Sequence, residues 1–368
     1  MDLETLFERN GIDLERGEIF EQTPGAMPEG FVFEERVEGM MLGLAIGDAL
    51  GRPTEGRKPA ERRAKHGEVR TYVIGRRAKE AVGLPSDDTQ MAFWTLEQLL
   101  EDGELDPERL GELFSTREIF GMGQTVSKFR RQFKKKTPWY KSGPASAGNG
   151  ALMRIAPVVI PHLMRPSPRL WEDAALAAML THNDAGSTAC CVAFVAMLWD
   201  LLAMDEAPEP SWWLERYVEV ASQLEGDAVY KPRGGRWEGL FAGPIHEYVA
   251  QGMRWVEREQ VDTVDACDAF YSGAYLLETM PCVILLLTRY GHDPQEAIVR
   301  AVNDTKDNDT IAAIVGAAVG ALHGRAALDE AWISGLTGRT MSDDDGRVFE
   351  LLEQACQRFG ASPPSSSP

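Results

Sequence analysis

The chain has 368 residues, and 38 Lys and Arg against 57 Asp and Glu give it a formal charge of -19. That balance argues against binding to nucleic-acid backbones, which requires basic surface. Hydrophobic residues make up 44% of the chain, yet the longest strong apolar run, Ala189 to Trp199, stops at Asp200, short of the roughly 18 residues a membrane span needs. Neither a nucleic-acid nor a membrane partner is expected.

Residues 1–36 differ from the rest. Positions 1–35 hold ten acidic side chains against Arg9 and Arg16, interleaved with Leu3, Leu6, Phe7, Ile12, Ile19 and Phe20. They read as an acidic N-terminal extension or, equally, as a helix packed on the body. No basic start precedes an apolar core, so no signal peptide is expected. Cys190, Cys191, Cys267, Cys282 and Cys356 form no CxxC or zinc spacing, which suits a reducing cytoplasm.

From Val37 to about residue 360 the pattern is helical and reads as one domain. Gly39, Gly43, Gly47 and Gly51 recur every four residues, placing four glycines on one helix face where another backbone can approach. Pro53 ends that run, and Glu55 follows in a loop. Ser86-Asp87-Asp88-Thr89 then heads the apolar run Met91–Leu100. Next come the glycine pair Gly121-Met122-Gly123, a basic stretch from Lys128 to Lys136, and Ser146-Ala147-Gly148-Asn149-Gly150, a turn with the amides and hydroxyl of an anion site. Thr181-His182 precedes a further apolar run.

Helices are expected at 108–120, 172–182, 186–204, 212–224, 246–257, 266–289 and 294–303. The stretch 205–245, with Trp212, Trp213 and Trp237, reads as an exposed, irregular excursion. Asp307-Asn308-Asp309-Thr310 heads the apolar run Ile311–Leu322, and 361–368 reads as a disordered tail. Either acidic cluster alone reads as a helix cap. Facing each other, the two would make a hard-oxygen set suited to Mg²⁺ or Mn²⁺. No strand precedes a GxGxxG, which excludes a Rossmann dehydrogenase.

In this order the segments resemble the ADP-ribosylglycohydrolase family over roughly residues 38–325. The matches are GxxxGDAxGxxxE from Gly43 to Glu55, S-D-D-T from Ser86, a GxGxT form of the GxGxxT loop from Gly121, GNGxxMR from Gly148, Thr181-His182, and D-x-D-T from Asp307. The resemblance implies an all-α fold, a single compact orthogonal helical domain with two Mg²⁺ or Mn²⁺ ions in a cleft. It implies metal ligation by Ser86, Asp87, Asp88, Asp307, Asp309 and Thr310, and catalytic roles for Glu55, Asp87 and Asp309. Gly121, Gly123, Ser146, Gly148, Asn149, Gly150 and His182 would bind the substrate, an ADP-ribosylated protein with arginine as the favoured acceptor.

Two departures stand out: Ser86 where Thr is usual, and Thr305-Lys306 where Gly-Gly is common. A competing class is an immunity protein whose acidic N-terminal segment plugs the cleft of an ADP-ribosyltransferase toxin.

Overall fold

Asp, Ser and Pro at the heads of the apolar runs divide the chain into sixteen α-helices, with no β-strand among the described residues. The computed structural model describes residues 1–74, 80–237 and 240–360, so the tail expected at 361–368 lies outside the described residues. The first third holds α1 (Leu3–Glu8), α2 (Phe33–Gly51), α3 (Pro59–His66), α4 (Asp87–Asp102), α5 (Pro107–Thr116) and α6 (Gln124–Lys134). The middle holds α7 (Arg169–Met179), α8 (Ala185–Ala203), α9 (Pro210–Ala221) and α10 (Ile245–Arg258). Then follow α11 (Thr263–Ala269), α12 (Leu276–Tyr290), α13 (Pro294–Asp304), α14 (Asn308–His323), α15 (Glu330–Gly335) and α16 (Arg347–Phe359). Starts are chemically marked. Asp106 accepts from the N–H of Glu108 at 2.9 Å and Asp293 from that of Glu296 at 3.0 Å, each ahead of a proline at the first helical position. The expected all-α architecture is the one that forms.

The centre of the molecule is set by glycine. A Cβ on Gly43 would lie 2.2 Å from the carbonyl oxygen of Gly316, and one on Gly47 2.0 Å from that of Ala312. The glycine face of α2 therefore lies backbone to backbone against α14, where Gly316 and Gly320 answer it in kind. Close approach of two main chains needs residues without side chains, and the packing gained offsets glycine's helix cost of about 1 kcal/mol each. At the end of the strip a Cβ on Gly51 would meet Asp309 Cα at 2.4 Å, so the same contact delivers an acidic residue to a fixed place.

Helix α8 is buried from Ala185 to Trp199, with α7, α9 and α14 packed around it. Its 19 residues are, by length and composition, apolar enough to cross a membrane, a longer span than the run Ala189–Trp199 suggested. Cys190 and Cys191 are core filler within it.

Three expectations need correction. The single helix over 266–289 is two helices, α11 and α12, parted by Phe270–Tyr275. Tyr271 and Ser272 take φ of 76° and 42°, a conformation that breaks a helix. In exchange the loop pairs with two distant segments: Asp307 N–H donates to Ser272 O at 2.8 Å, and Asn149 N–H to Ala274 O at 3.1 Å. Secondly, 205–245 is not an exposed excursion throughout: α9 forms where a helix was expected at 212–224, and Trp213 and Trp237 are only 2% and 7% exposed. Trp237 sits edge-on to Tyr248 and Phe270.

The third correction concerns the N-terminus. The boundary expected after residue 36 falls inside α2. Leu3, Leu6, Ile12 and Ile19 are buried in the common core, and α1 packs on α7. Asn183 grips the segment from both sides, its Oδ1 accepting from Asp13 N–H at 3.0 Å and its Nδ2 donating to Gly11 O at 3.1 Å. The indoles of Trp171 and Trp199 donate to the carbonyls of Gln22 and Gly25. A plug for another protein needs its apolar side chains free, and these are spent on the chain's own helices. The toxin-blocking reading has no support here.

Candidate active site

Three helices meet at one point. The N-termini of α4 and α14 converge, and the C-terminal half of α2 brings Asp48 alongside them. Asp48 Oδ2 accepts from Ser86 N–H at 2.9 Å, from Thr89 N–H at 3.1 Å, and from the Thr89 hydroxyl. It thus clamps the first turn of α4 from outside. Ser86 is the N-cap of α4, its hydroxyl accepting from Asp88 N–H at 3.2 Å and donating to Asp88 Oδ2 at 2.8 Å. Asp307 holds the equivalent position before α14 but makes no capping bond there. Its Oδ2 instead accepts from Asn149 Nδ2 at 2.7 Å.

The carboxylates fall into two groups that share a member. Oxygens of Asp48, Asp88 and Asp309 lie within 4.8 Å of one another, as do those of Glu55, Asp307 and Asp309. Asp48 Oδ1, Asp88 Oδ1 and Asp309 Oδ1 are buried without a hydrogen-bond partner. Burial, reinforced by neighbouring carboxylates, pushes Asp87 up to about 8 and Asp307 up to about 7. Asp88 and Asp309 are driven well above the usual carboxylate range for the same reasons. Packed acids with orphaned oxygens are costly unless something positive joins them. All-oxygen donors of this kind suit a hard divalent cation, and the positive ends of two helix dipoles lower the cost only in part.

The rest of the site is a cleft of 570 Å³ that opens over these acids. Glu55, Asp87, Asp88, Asp307, Asp309 and Thr310 line one end. Gly121, Gly123, Ser146, Gly148, Asn149, Gly150 and His182 line the remainder, so the structure brings those expected residues together. Ser86 does not line the cleft. Gly121 has φ of 75°, which lets the loop turn over Asp87, and Gly123 starts α6 without a side-chain cap. Thr125 Oγ1 and Ser146 Oγ meet at 3.0 Å, tying the two glycine loops together. The basic face of α6 takes no part in the lining. Arg130 is structural, donating to the carbonyls of Ser115 and Arg117 at 3.0 and 2.8 Å.

His182 is buried against Gly148 and Gly150, where a Cβ on Gly150 would lie 3.0 Å from its ring. Burial, with the nearby Arg154 cation, lowers its pKa to about 3, so the imidazole is neutral. Arg154 Nη2 donates to Thr181 Oγ1 at 2.7 Å, and that hydroxyl lies 2.9 Å from His182 Nδ1. Thr181 Oγ1 thus bridges Arg154 and His182 Nδ1, which fixes the ring and leaves Nε2 beside Gly148 and Gly150 at the cleft wall. As a neutral ring held on one side, His182 is placed to form a hydrogen bond in the cleft rather than to act as an acid.

Sequence reasoning missed Asp48 as a site residue, although it stands inside the quoted glycine motif. The signal was there: a carboxylate in an otherwise apolar helix faces the core. It also missed Arg233, whose guanidinium lies 3.6 Å from the ring centre of Tyr275, both on the cleft wall. That pairing had no local signature.

An all-α chain with a carboxylate-floored cleft walled by glycine loops defines a class of hydrolase, and comparison with known proteins places it. The sequence profile described as ADP-ribosylglycohydrolase matches residues 32–363. The ADP-ribosyl-[dinitrogen reductase] glycohydrolase of Rhodospirillum rubrum is 26% identical over 327 residues, covering 87% of this chain and 97% of the relative. The ADP-ribosylarginine hydrolase Tri1 of Pseudomonas putida is 25% identical over 311 residues, covering 81% of this chain and 73% of its own length. A solved structure titled ADP-ribosylglycohydrolase-related protein complex shares the fold, with a TM-score of 0.61, 24% identity, and coverage of 90% of this chain and 99% of that one. The chain belongs to the ADP-ribosylglycohydrolase family, and it is an enzyme that removes ADP-ribose by hydrolysis.

Proposed function

We propose that the enzyme cleaves the bond between the anomeric carbon of ADP-ribose and a protein side chain, with arginine the favoured acceptor and two Mg²⁺ (or Mn²⁺) as its metals. The observation that carries this reading is the double carboxylate set sharing Asp309, floored by orphaned oxygens and open to the glycine-walled cleft. Asp48, Asp88 and Asp309 would hold one cation, and Glu55, Asp307 and Asp309 the other, with Asp87 and Thr310 at the rim. When bound, such cations supply Lewis acidity toward the ribose hydroxyls and a water. Arginine is favoured by likeness to the Tri1 relative, whose name specifies that acceptor.

The chain's own groups do the rest. Glu55 is the exposed acid of the set and lines the cleft beside Asp307 and Asp309. It is therefore suited to orient the attacking water and take its proton. The amides of Gly121–Gly123 and the uncapped start of α6 suit the diphosphate. His182 Nε2, Asn149 and Ser146 offer further hydrogen bonds along the same wall. An oxocarbenium-like transition state develops positive charge on the ribose, which the nearby carboxylates stabilise.

The test is release of ADP-ribose from ADP-ribosylated arginine and serine peptides, with Mg²⁺ and with EDTA. Turnover on arginine peptides that EDTA abolishes is the expected result. Full activity in EDTA would sink the metal assignment, and turnover confined to serine peptides would overturn the acceptor.

A further inference from the structure

Beside the cleft lies a second recess of 340 Å³, bounded by Lys58, Gly235, Arg236, Asp268, Tyr271 and Lys306. In a chain of net charge -19 this corner presents three cations against one carboxylate. Asp268 is already paired with Arg236. Lys306 lays its Nζ over the Tyr271 ring, 3.6 Å from the centroid. Lys58 is exposed; among the described residues neither lysine forms a direct ion pair, and the Lys306 charge acts at longer range on Glu278 and Asp307.

Three chain segments wall both spaces. Glu55 faces the cleft and Lys58 the recess. Asp307 and Lys306 divide in the same way, as do Tyr275 and Tyr271. Gly56 N–H donates to Lys306 O at 2.9 Å, and Lys306 N–H donates to Ser272 Oγ at 3.1 Å, so the partition is a single hydrogen-bonded layer of chain. The recess thus adjoins the carboxylate end of the cleft, where Glu55 and Asp307 stand. An acceptor protein whose modified side chain reaches that end can lay a neighbouring residue over the recess.

We infer that the recess is an acceptor-side subsite for acidic residues flanking the ADP-ribosylated side chain, so that the enzyme prefers modified sites in acidic sequence. This rests on the proposed hydrolase reading. Unpaired ammonium groups, one steadied on an aromatic face, select carboxylates. The small volume suits one or two such groups. A nucleic-acid strand would have to continue across surface that repels it, given the overall charge.

The test uses the full chain with Mg²⁺ and two ADP-ribosylated arginine peptides, one with glutamates and one with glutamines around the modified residue. Peptide-free ADP-ribosyl-arginine is the third substrate. Both kcat/KM and binding by fluorescence anisotropy are measured, the latter independent of turnover. The acidic peptide should be preferred about tenfold in both, through KM and Kd, with the advantage shrinking at high salt. Lys58→Glu should erase the preference and Lys58→Gln should weaken it, both leaving the peptide-free substrate unchanged. Equal handling of the two peptides by the wild type overturns the subsite while leaving the hydrolase reading intact. Binding preference without turnover supports the subsite and sinks that reading. Displacement of the peptide by a short oligonucleotide at lower concentration than by free acidic peptide would overturn the assignment to protein.

Discussion

Asn149 Nδ2 donates to Asp307 Oδ2 at 2.7 Å, and this contact joins the glycine loop before Leu152 to the acidic head of α14 across 158 positions of sequence. The same amide also donates to Thr279 Oγ1 at 3.1 Å, and Thr279 donates to Gly273 O at 2.8 Å. Asn149 is thereby held rigid and holds Asp307 in turn. Asn149→Ala should lower kcat/KM by about 10- to 100-fold, the usual range for groups that orient metal ligands. Raising Mg²⁺ should restore part of the loss, which a merely misfolded variant would not show.

Asp48 is the residue on which stability and function pull apart. Asp48→Asn keeps an oxygen for Ser86, Thr89 and the first turn of α4, and places an amide beside the orphaned oxygens of Asp88 and Asp309. Removing one of several crowded charges should raise the Tm of the metal-free protein. The same change should abolish the Tm increase that Mg²⁺ gives the wild type, and hydrolysis with it. Differential scanning calorimetry with and without Mg²⁺ reads both effects.

A pH dependence follows from Asp87 and Asp307. Their pKa values in the fold, about 8 and about 7, lie above the ordinary 3.8. Between those limits the folded state binds more protons than the unfolded one, so stability falls as pH rises. In EDTA the Tm should decline from about pH 4 to 8, and saturating Mg²⁺ should flatten the decline. The Asp87→Asn, Asp307→Asn pair should make it shallower without metal, the remainder coming from Asp88 and Asp309, which are also raised. An unaltered slope in that double variant would assign the decline to general charge repulsion instead.

Packing at the α2–α14 seam is unforgiving. Gly47→Ala puts a methyl 2.0 Å from the carbonyl oxygen of Ala312, a clash between main chains that no rotamer relieves. Urea unfolding should show a loss of about 3 kcal/mol, the upper part of the range for overpacking. Gly25→Ala meets nothing within 4 Å and should change stability by less than about 0.5 kcal/mol, as surface changes do.

Deleting residues 1–31 tests the N-terminal segment. The buried Leu3, Leu6, Ile12 and Ile19 contribute about 1.5–3 kcal/mol each before the cost of ordering the chain. The deletion should lower the Tm markedly. It should also reduce turnover, because Asn183, the neighbour of His182, loses both partners. A truncated enzyme of full activity and unchanged Tm would make the segment an appendage after all.

What the sequence determined by itself was local in cause. Helix periodicity, aspartate and proline starts and the every-fourth glycine strip follow from interactions within a few turns and sufficed for the all-α class, while most of the cleft lining came from the resemblance of the ordered motifs to the family. The tertiary structure decided the rest, since those features depend on partners far away in the chain. Ser86 and Asp307 look alike in sequence, each a polar residue ahead of an apolar helix. Only the packing makes Ser86 a cap bonded to Asp88 and gives Asp307 to Asn149. The break at Tyr271-Ser272 exists because Asp307 and Asn149 need carbonyls there, and a helix would have used those carbonyls itself. Burial of the N-terminal leucines and isoleucines was likewise undecided by their acidic neighbours: charges at the surface are compatible with either a free arm or a packed one, and the apolar surface of α7 chose between them.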